Sequence, residues 1–236
     1  MKFEKTEVWG FEHAIRGMRN PMNSWDKGDS GYIDRRFNDQ FHIGKNDLDL
    51  AQRLIKAGNE HRKFLRQIFV SVDVTAPMYW WNEFDTYKVG TVANSTSKMH
   101  KLASTPITLD CFEMDDFSIF ETDSDDVEES INSFEFWNLY LIPYLEKLRA
   151  LFNETKDKRY WKELIRLLPE SWLQKRTVTM NYENILNMYH QRKNHKLNEW
   201  SGKDDPAKPN FCSWVLEIPY AKQFFIEPFE KQETDE

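Results

Sequence analysis

IFVSVDVTAPMYWWNEFDTYK, residues 68–88, decides how the chain is read. Val70, Val72 and Val74 alternate with Ser71, Asp73 and Thr75. A two-residue period sends alternate side chains to opposite faces of an extended chain, so this half is expected to be a half-buried strand. Pro77 ends the alternation. Its fixed φ and missing N–H suit the first turn of a helix, and PMYWWNEFDTYK is read as that helix. A strand running straight into a helix makes a mixed α and β chain the working expectation.

Upstream, DLDLAQRLIKAG places Leu50, Ala51, Leu54 and Ile55 at helical spacing, with Asn46 as expected N-cap, Asp47 and Asp49 in the first turn and Gly58 as stop. Residues 1–45, including RGMRNPMNSWDKGDSGY, read as irregular but ordered turns. Downstream, FWNLYLIPYLEKLRALFNE is helical, with Pro143 marking a kink or break. KRYWKELIRLLP is a second helix ending near Pro169. TVTMNYENILNMYHQRKNHKLNEW is expected as a third, with Val178, Ile185, Leu186 and Tyr189 on one side. The sum is an α+β fold, a small sheet covered by helices. It is expected as a single domain over 1–236, with an acidic stretch at 101–130 and a frayed tail at 226–236.

Hydrophobic residues make up 40% of the 236, with nine Trp and seventeen Phe, enough for a sizeable core. The net charge of −7 argues against wrapping duplex nucleic acid but leaves room for a small anionic ligand in a local basic pocket. Cys111 and Cys212 form no CxxC pair, so neither a zinc site nor a disulfide framework is expected, and a reduced, cytoplasmic setting fits. The opening MKFEKTEVWGFEH lacks the apolar core of a signal peptide, and no apolar run long enough to span a membrane is present. DCFEMDDFSIFETDSDDVEES lacks EF-hand spacing and reads as a solvated acidic lid or loop edge. His190 and His195 are five apart, with no HExxH or HxH, so no catalytic metal is expected. There is no GxGxxG and no GxxxxGK[ST].

Two clusters carry the remaining chemistry. TYKVGTVANSTSKMH, residues 86–100, offers hydroxyls, Lys88, Lys98 and Gly90. Backbone N–H and hydroxyl groups in such a turn can cradle a phosphate, and a polar surface loop has the same composition. In NYENILNMYHQRKNH, Asn181, Asn184 and Asn187 recur every three residues, followed by Arg192. Asn is a poor helix former, so the repeat is either a ligand-facing stripe or a wetted helix face.

The order and spacing of these segments resemble the flavin-dependent thymidylate synthase family. That family has a V-x-A-P-like turn, a helix, and then RHR-x-x-S-x-N-E-x-S-x-R. Here VTAP (74–77) leads into MYWWNEFD, and the family's RHR falls on Thr86, Tyr87 and Lys88. Its Ser-x-Asn-Glu falls on Thr91, Ala93 and Asn94, and its final Ser-x-Arg on Thr96 and Lys98. The C-terminal half is more similar. LLP ends at Pro169, and the N-x-R-x-x-x-N-x-x-x-x-R helix motif meets Asn181, Glu183, Asn187 and Arg192 at its own spacing. His61 falls where members have a flavin-contacting His.

The resemblance implies a homotetramer with active sites at subunit interfaces, FAD as cofactor, and methylation of dUMP at C5. Methylenetetrahydrofolate would be the carbon donor and NADPH the reductant. Arg192 would be the catalytic residue, holding the pyrimidine edge. Glu83, Thr86, Asn94, Ser95, Thr96, Ser97 and Lys98 would meet the nucleotide with it. His61, Tyr87, Lys88, Asn94, Asn181, Glu183 and Asn187 would meet the flavin. The chain departs from the pattern at Thr86 and Lys88 for arginines, at Glu83 for a Gln, at Glu183 for an Arg, and at Ile165 for an Arg, beside which Arg166 stands. Lysine does not reproduce the planar fork of a guanidinium.

Overall fold

The computed structural model describes residues 1–34, 38–97, 101–115 and 133–230. Lys98, most of the acidic stretch and the end of the tail lie outside them. The chain divides into two compact units. One comprises Met1–Val74, Thr86–Asn94 and Thr177–Glu236, the other Thr75–Asp85 and Ser95–Arg176. A four-stranded sheet contains β1 (Lys2–Trp9), β4 (Phe69–Pro77), β5 (Val92–Ser95) and β6 (Leu173–Asn181), in the order β1-β4-β6-β5. Strands β2 (Gly31–Asp34) and β3 (Asn38–His42) form a separate antiparallel pair, with Tyr32 opposite Phe41.

The alternation read at 70–75 is realised in β4, where Val70, Val72, Val74 and Ala76 are buried and the residues between them half-buried. On the opposite face the Thr177 hydroxyl donates to Asp73 at 2.6 Å, and that of Thr179 to Ser71 at 3.3 Å. These rungs belong to β6, which replaces the start of the expected third helix. Thr177, Val178, Thr179 and Met180 alternate too, with Val178 and Met180 buried. Only from Tyr182 does the period become helical, in α7 (Tyr182–Arg192).

In the first unit, residues 1–45 are far more regular than expected. They hold β1, α1 (Phe11–Gly17), two short 3-10 turns and the β2–β3 hairpin. Phe11, Ala14, Ile15 and Met18 recur at i, i+3, i+4 and i+7 and are buried. Gly10 enters α1 at φ 100°, where a Cβ would lie 2.3 Å from the Gln67 carbonyl oxygen. The helix expected after Asn46 is α2 (Lys45–Ala57), capped at Gly44 instead. Asp29 supplies the capping carboxylate from a distant segment, accepting from the N–H groups of Asn46 at 2.8 Å and Asp47 at 3.0 Å. Gly58 ends α2 at φ 103°, as read. The core of this unit is aromatic. Tyr182 is fully buried, edge-on to Phe11, and donates its hydroxyl to the Pro219 carbonyl at 2.7 Å. Cys212, in the helix Phe211–Glu217, is buried here, and burial pushes its thiol up to about 12.

In the second unit, α3 (Met78–Phe84) follows β4 directly, and Pro77 stands at its N-cap rather than inside its first turn. Trp80, Trp81 and Phe84 from this helix are buried. A further apolar cluster gathers Leu102, Ile107, Phe112, Leu145, Leu148 and Leu164. Pro143 does not break its helix: after α4 (Ser133–Phe136), a π-helical turn at Trp137–Leu141 precedes α5 (Ile142–Thr155), with Pro143 in the first turn. The wider turn accommodates the missing N–H. The helix α6 (Lys158–Leu167) stops just before Leu168-Pro169, as read.

Candidate functional site

The two faces of the site that lie in the first unit meet along α7. At its N-terminus Asn181 is not a helical residue but the N-cap, with extended backbone at φ −101° and ψ 166°. Its side chain accepts from the Asn184 N–H at 2.9 Å, and Asn184 accepts from the Asn181 N–H at 3.3 Å, a reciprocal capping box. Asn184 also donates to the Val89 carbonyl at 2.7 Å. The turn Lys88–Thr91 therefore rests on this helix end, and Gly90 makes the approach possible. At φ 77°, a Cβ on Gly90 would stand 3.0 Å from Asn184 Oδ1 and 3.2 Å from Asn181 Nδ2. Two of the three asparagines expected in a stripe thus serve as caps, which is the physical reason for Asn at these positions.

One turn further, Glu183 and Asn187 lie in a charged network. Arg62 donates to Glu183 Oε1 at 3.3 Å and to Asn187 Oδ1 at 3.0 Å, and it also bonds Asn59. Arg66 forks onto the same Glu183 carboxylate, and this partnership raises the affinity of its guanidinium for its proton. The side chains of Arg62 and Glu183 are only 10% and 12% exposed, whereas Arg66 is 46% exposed. His61 is exposed on the same connection. The charge reversal at 183 is answered by two arginines that the motif comparison does not include. Their spacing, four residues apart beside His61, was visible in the sequence.

At the C-terminal end of α7, half-buried Arg192 sits among aromatic rings. Its Nε donates to the Tyr87 hydroxyl at 2.8 Å, and its guanidinium lies 4.9 Å from the Trp200 ring centroid and 5.4 Å from that of Tyr87. The Tyr87 hydroxyl in turn donates to Gln191 at 2.9 Å. Tyr87 is thus brought to Arg192. Trp200 and Gln191 were missed because neither belongs to the motif. In the same unit Lys88, Thr86 and Asn94 are exposed.

The remaining expected residues belong to the second unit. Glu83 is half-buried on α3. Ser95 ends β5, whose side chains are exposed throughout. Thr96 donates its N–H to the Lys175 carbonyl at 2.9 Å and accepts from Gln174 at 2.9 Å, so its backbone is committed to strand-like pairing. Ser97 is half-buried. Arg176, not expected, lies 4.2 Å over the Trp81 ring and bonds Asp85 at 2.8 Å. Among the described residues no group of His, Cys, Asp and Glu could hold a metal ion, and no helix is long and apolar enough to cross a membrane.

No protein-family model and no curated protein matches the chain. Solved structures do, and they define a class of fold: the chain folds like the flavin-dependent thymidylate synthases. Two structures of ThyX from Helicobacter pylori, with FAD and dUMP, match over 98% of this chain and all of theirs at 16% identity, with TM-scores of 0.60 and 0.61. A UMP/dUMP methylase, PolB from Streptomyces cacaoi, bound with 5-Br dUMP, matches over 92% of this chain and 86% of its own at 11% identity and a TM-score of 0.54. The resemblance read from the two motif clusters therefore holds at the level of the fold.

Proposed function

We propose that this chain is a divergent flavin-dependent thymidylate synthase-like enzyme that methylates dUMP or a related pyrimidine nucleotide at C5. The observation that carries the reading is the Arg192–Tyr87–Trp200 arrangement at the end of α7, on a fold shared with enzymes that bind dUMP. A guanidinium seated against two rings is held in a fixed orientation. On a pyrimidine edge it would stabilise the negative charge that develops as the ring is activated. Tyr87 would act as a positioning residue, through its bond to Arg192 Nε.

The residues at the other end of α7 fit an anionic cofactor such as FAD. Arg62 and Arg66 oppose the single carboxylate of Glu183, which leaves a net positive edge. Arg66, His61 and the Nδ2 of Asn187 would hold it, since the Oδ1 of Asn187 already accepts from Arg62. When bound, a flavin supplies the hydride for the reduction. Methylenetetrahydrofolate as carbon donor, NADPH as reductant and a homotetrameric assembly complete this reading. Glu83, Thr86, Asn94, Ser95, Thr96, Ser97 and Lys98 remain its proposed nucleotide contacts.

Purified protein is expected to be yellow or to become so on reconstitution with FAD, and its flavin absorbance should change on adding dUMP. Colourless protein that takes up no FAD overturns the proposal. A second reading, a nucleotide- or flavin-binding protein that no longer catalyses, is favoured by the closure of Glu183 onto Arg62 and Arg66. It expects no tritium release from C5-labelled dUMP with FAD, folate and NADPH supplied, and robust release eliminates it.

A further inference from the structure

A cavity of about 460 Å³ in the first unit has no α7 residue in its lining and no role in the proposed reaction. It is framed by the end of α1, the 3-10 turns, the β2–β3 hairpin and the start of α2. At its base sits Arg19, only 6% exposed. Its Nε donates to Asp47, and its Nη1 reaches the Ser24 carbonyl at 3.3 Å. Asp47, 2% exposed, is saturated by further donors: the N–H groups of Asp29 and Ser30 at 3.0 Å each, and the Ser30 hydroxyl at 2.6 Å. These bonds and the Arg19 cation outweigh burial and hold the Asp47 carboxyl below its usual range. The pair is therefore fixed in position, and Arg19 Nη2 has no hydrogen-bond partner among the described residues.

A guanidinium carries five donors, and one that reaches solvent in the cavity without a protein partner can meet an acceptor there. Arg16, in the last turn of α1, also lines the cavity and has no ion-pair partner among the described residues. Aromatic walls complete it. Trp25 is 55% exposed, with its indole edge held by Asn20 at 2.9 Å, and Tyr32 packs edge-on to Phe41 at 5.4 Å. Glu12 stands beside Tyr32, accepting its hydroxyl at 3.3 Å, and so confines an anion to the arginine end.

We propose that this cavity binds a small planar aromatic acid, with its acid group on Arg16 and Arg19 and its ring against Trp25 and Tyr32. The volume is that of an ordinary small-molecule site. The acid is a carboxylate or a phosphate, and the site stands independently of the flavin reading. The test is calorimetric titration of the full-length protein with benzoate, phenyl phosphate and inorganic phosphate. At least one aromatic acid should bind, more tightly than inorganic phosphate, and which one binds assigns the acid group. Arg16→Gln and Trp25→Ala, both on exposed side chains, should each weaken it at least about tenfold, the loss of one charge-assisted or stacking contact. Glu12→Gln should tighten it, and Arg192→Gln should leave it unchanged. Absence of binding by both aromatic acids, equal binding of inorganic phosphate, indifference to Arg16→Gln and Trp25→Ala, or loss in Arg192→Gln each overturns the proposal.

Discussion

The two ends of α7 hold their polar residues in different surroundings. At the N-terminal end Asn181, Asn184, Glu183 and Asn187 have protein partners: a capping box, the Val89 carbonyl, Arg62 and Arg66. At the C-terminal end Arg192 rests against the rings of Tyr87 and Trp200 and donates to the Tyr87 hydroxyl. On the proposed function, the same helix folds with one end and would meet its nucleotide with the other. Motif spacing alone does not separate the two uses, because an asparagine that caps a helix and one that meets a cofactor look alike in a string of letters.

The sharpest way to break this contrast is at Glu183. Glu183→Ala strands Arg62 largely buried without its carboxylate, and stability should fall by about 3–5 kcal/mol in urea denaturation. Glu183→Arg, which introduces the residue of the resembling family, adds a third cation and should be worse. A loss below about 1 kcal/mol would mean the network is not structural. Arg192→Lys should do the reverse, leaving the melting temperature in place while weakening the dUMP-induced flavin change at least about tenfold, since a lysine cannot stack as a planar fork. If melting drops instead, Arg192 belongs with the folding residues.

Gly90→Ala tests the turn on the N-terminal end. A Cβ at φ 77°, 3.0 Å from Asn184 Oδ1, should lower stability by about 1–2 kcal/mol. The smallest effect concerns His190, on the same helix. Burial, then Lys193 and Arg62, lower its proton affinity from the ordinary 6.5, against a backbone bond to Phe225. Below 6.5 the unfolded chain takes up the proton more readily than the folded one, so stability present above that pH is lost as pH falls toward the lower folded value. His190→Gln should flatten that part of the stability profile, and an unchanged slope would exclude the assignment.

Much of the fold was legible where one face of an element is buried. Val70, Val72 and Val74 announced β4, and Gly58 announced the end of α2. The strand β1 was not legible, because six of its eight residues are exposed and leave no alternation to read. The strand β6 is masked in the sequence although Val178 and Met180 alternate with Thr177 and Thr179, because the helical run from Tyr182 follows it directly across the Asn181 cap. Asn46 lost its cap role to Asp29, a partner seventeen residues away that no local rule finds. In the candidate site, the motif resemblance names Arg192 and Tyr87, whereas Arg62, Arg66 and Trp200 join through contacts distant in sequence that no motif carries.

The placement of the two thiols turns the chain into its own stopwatch. Cys212 lies buried in one compact unit with its proton held to about 12, and Cys111 is half-exposed in the other. A thiol reagent should mark Cys111 promptly and Cys212 only when its surroundings open. The delay between the two signals then reads the opening rate of the unit that carries Arg192, with no label added by mutation.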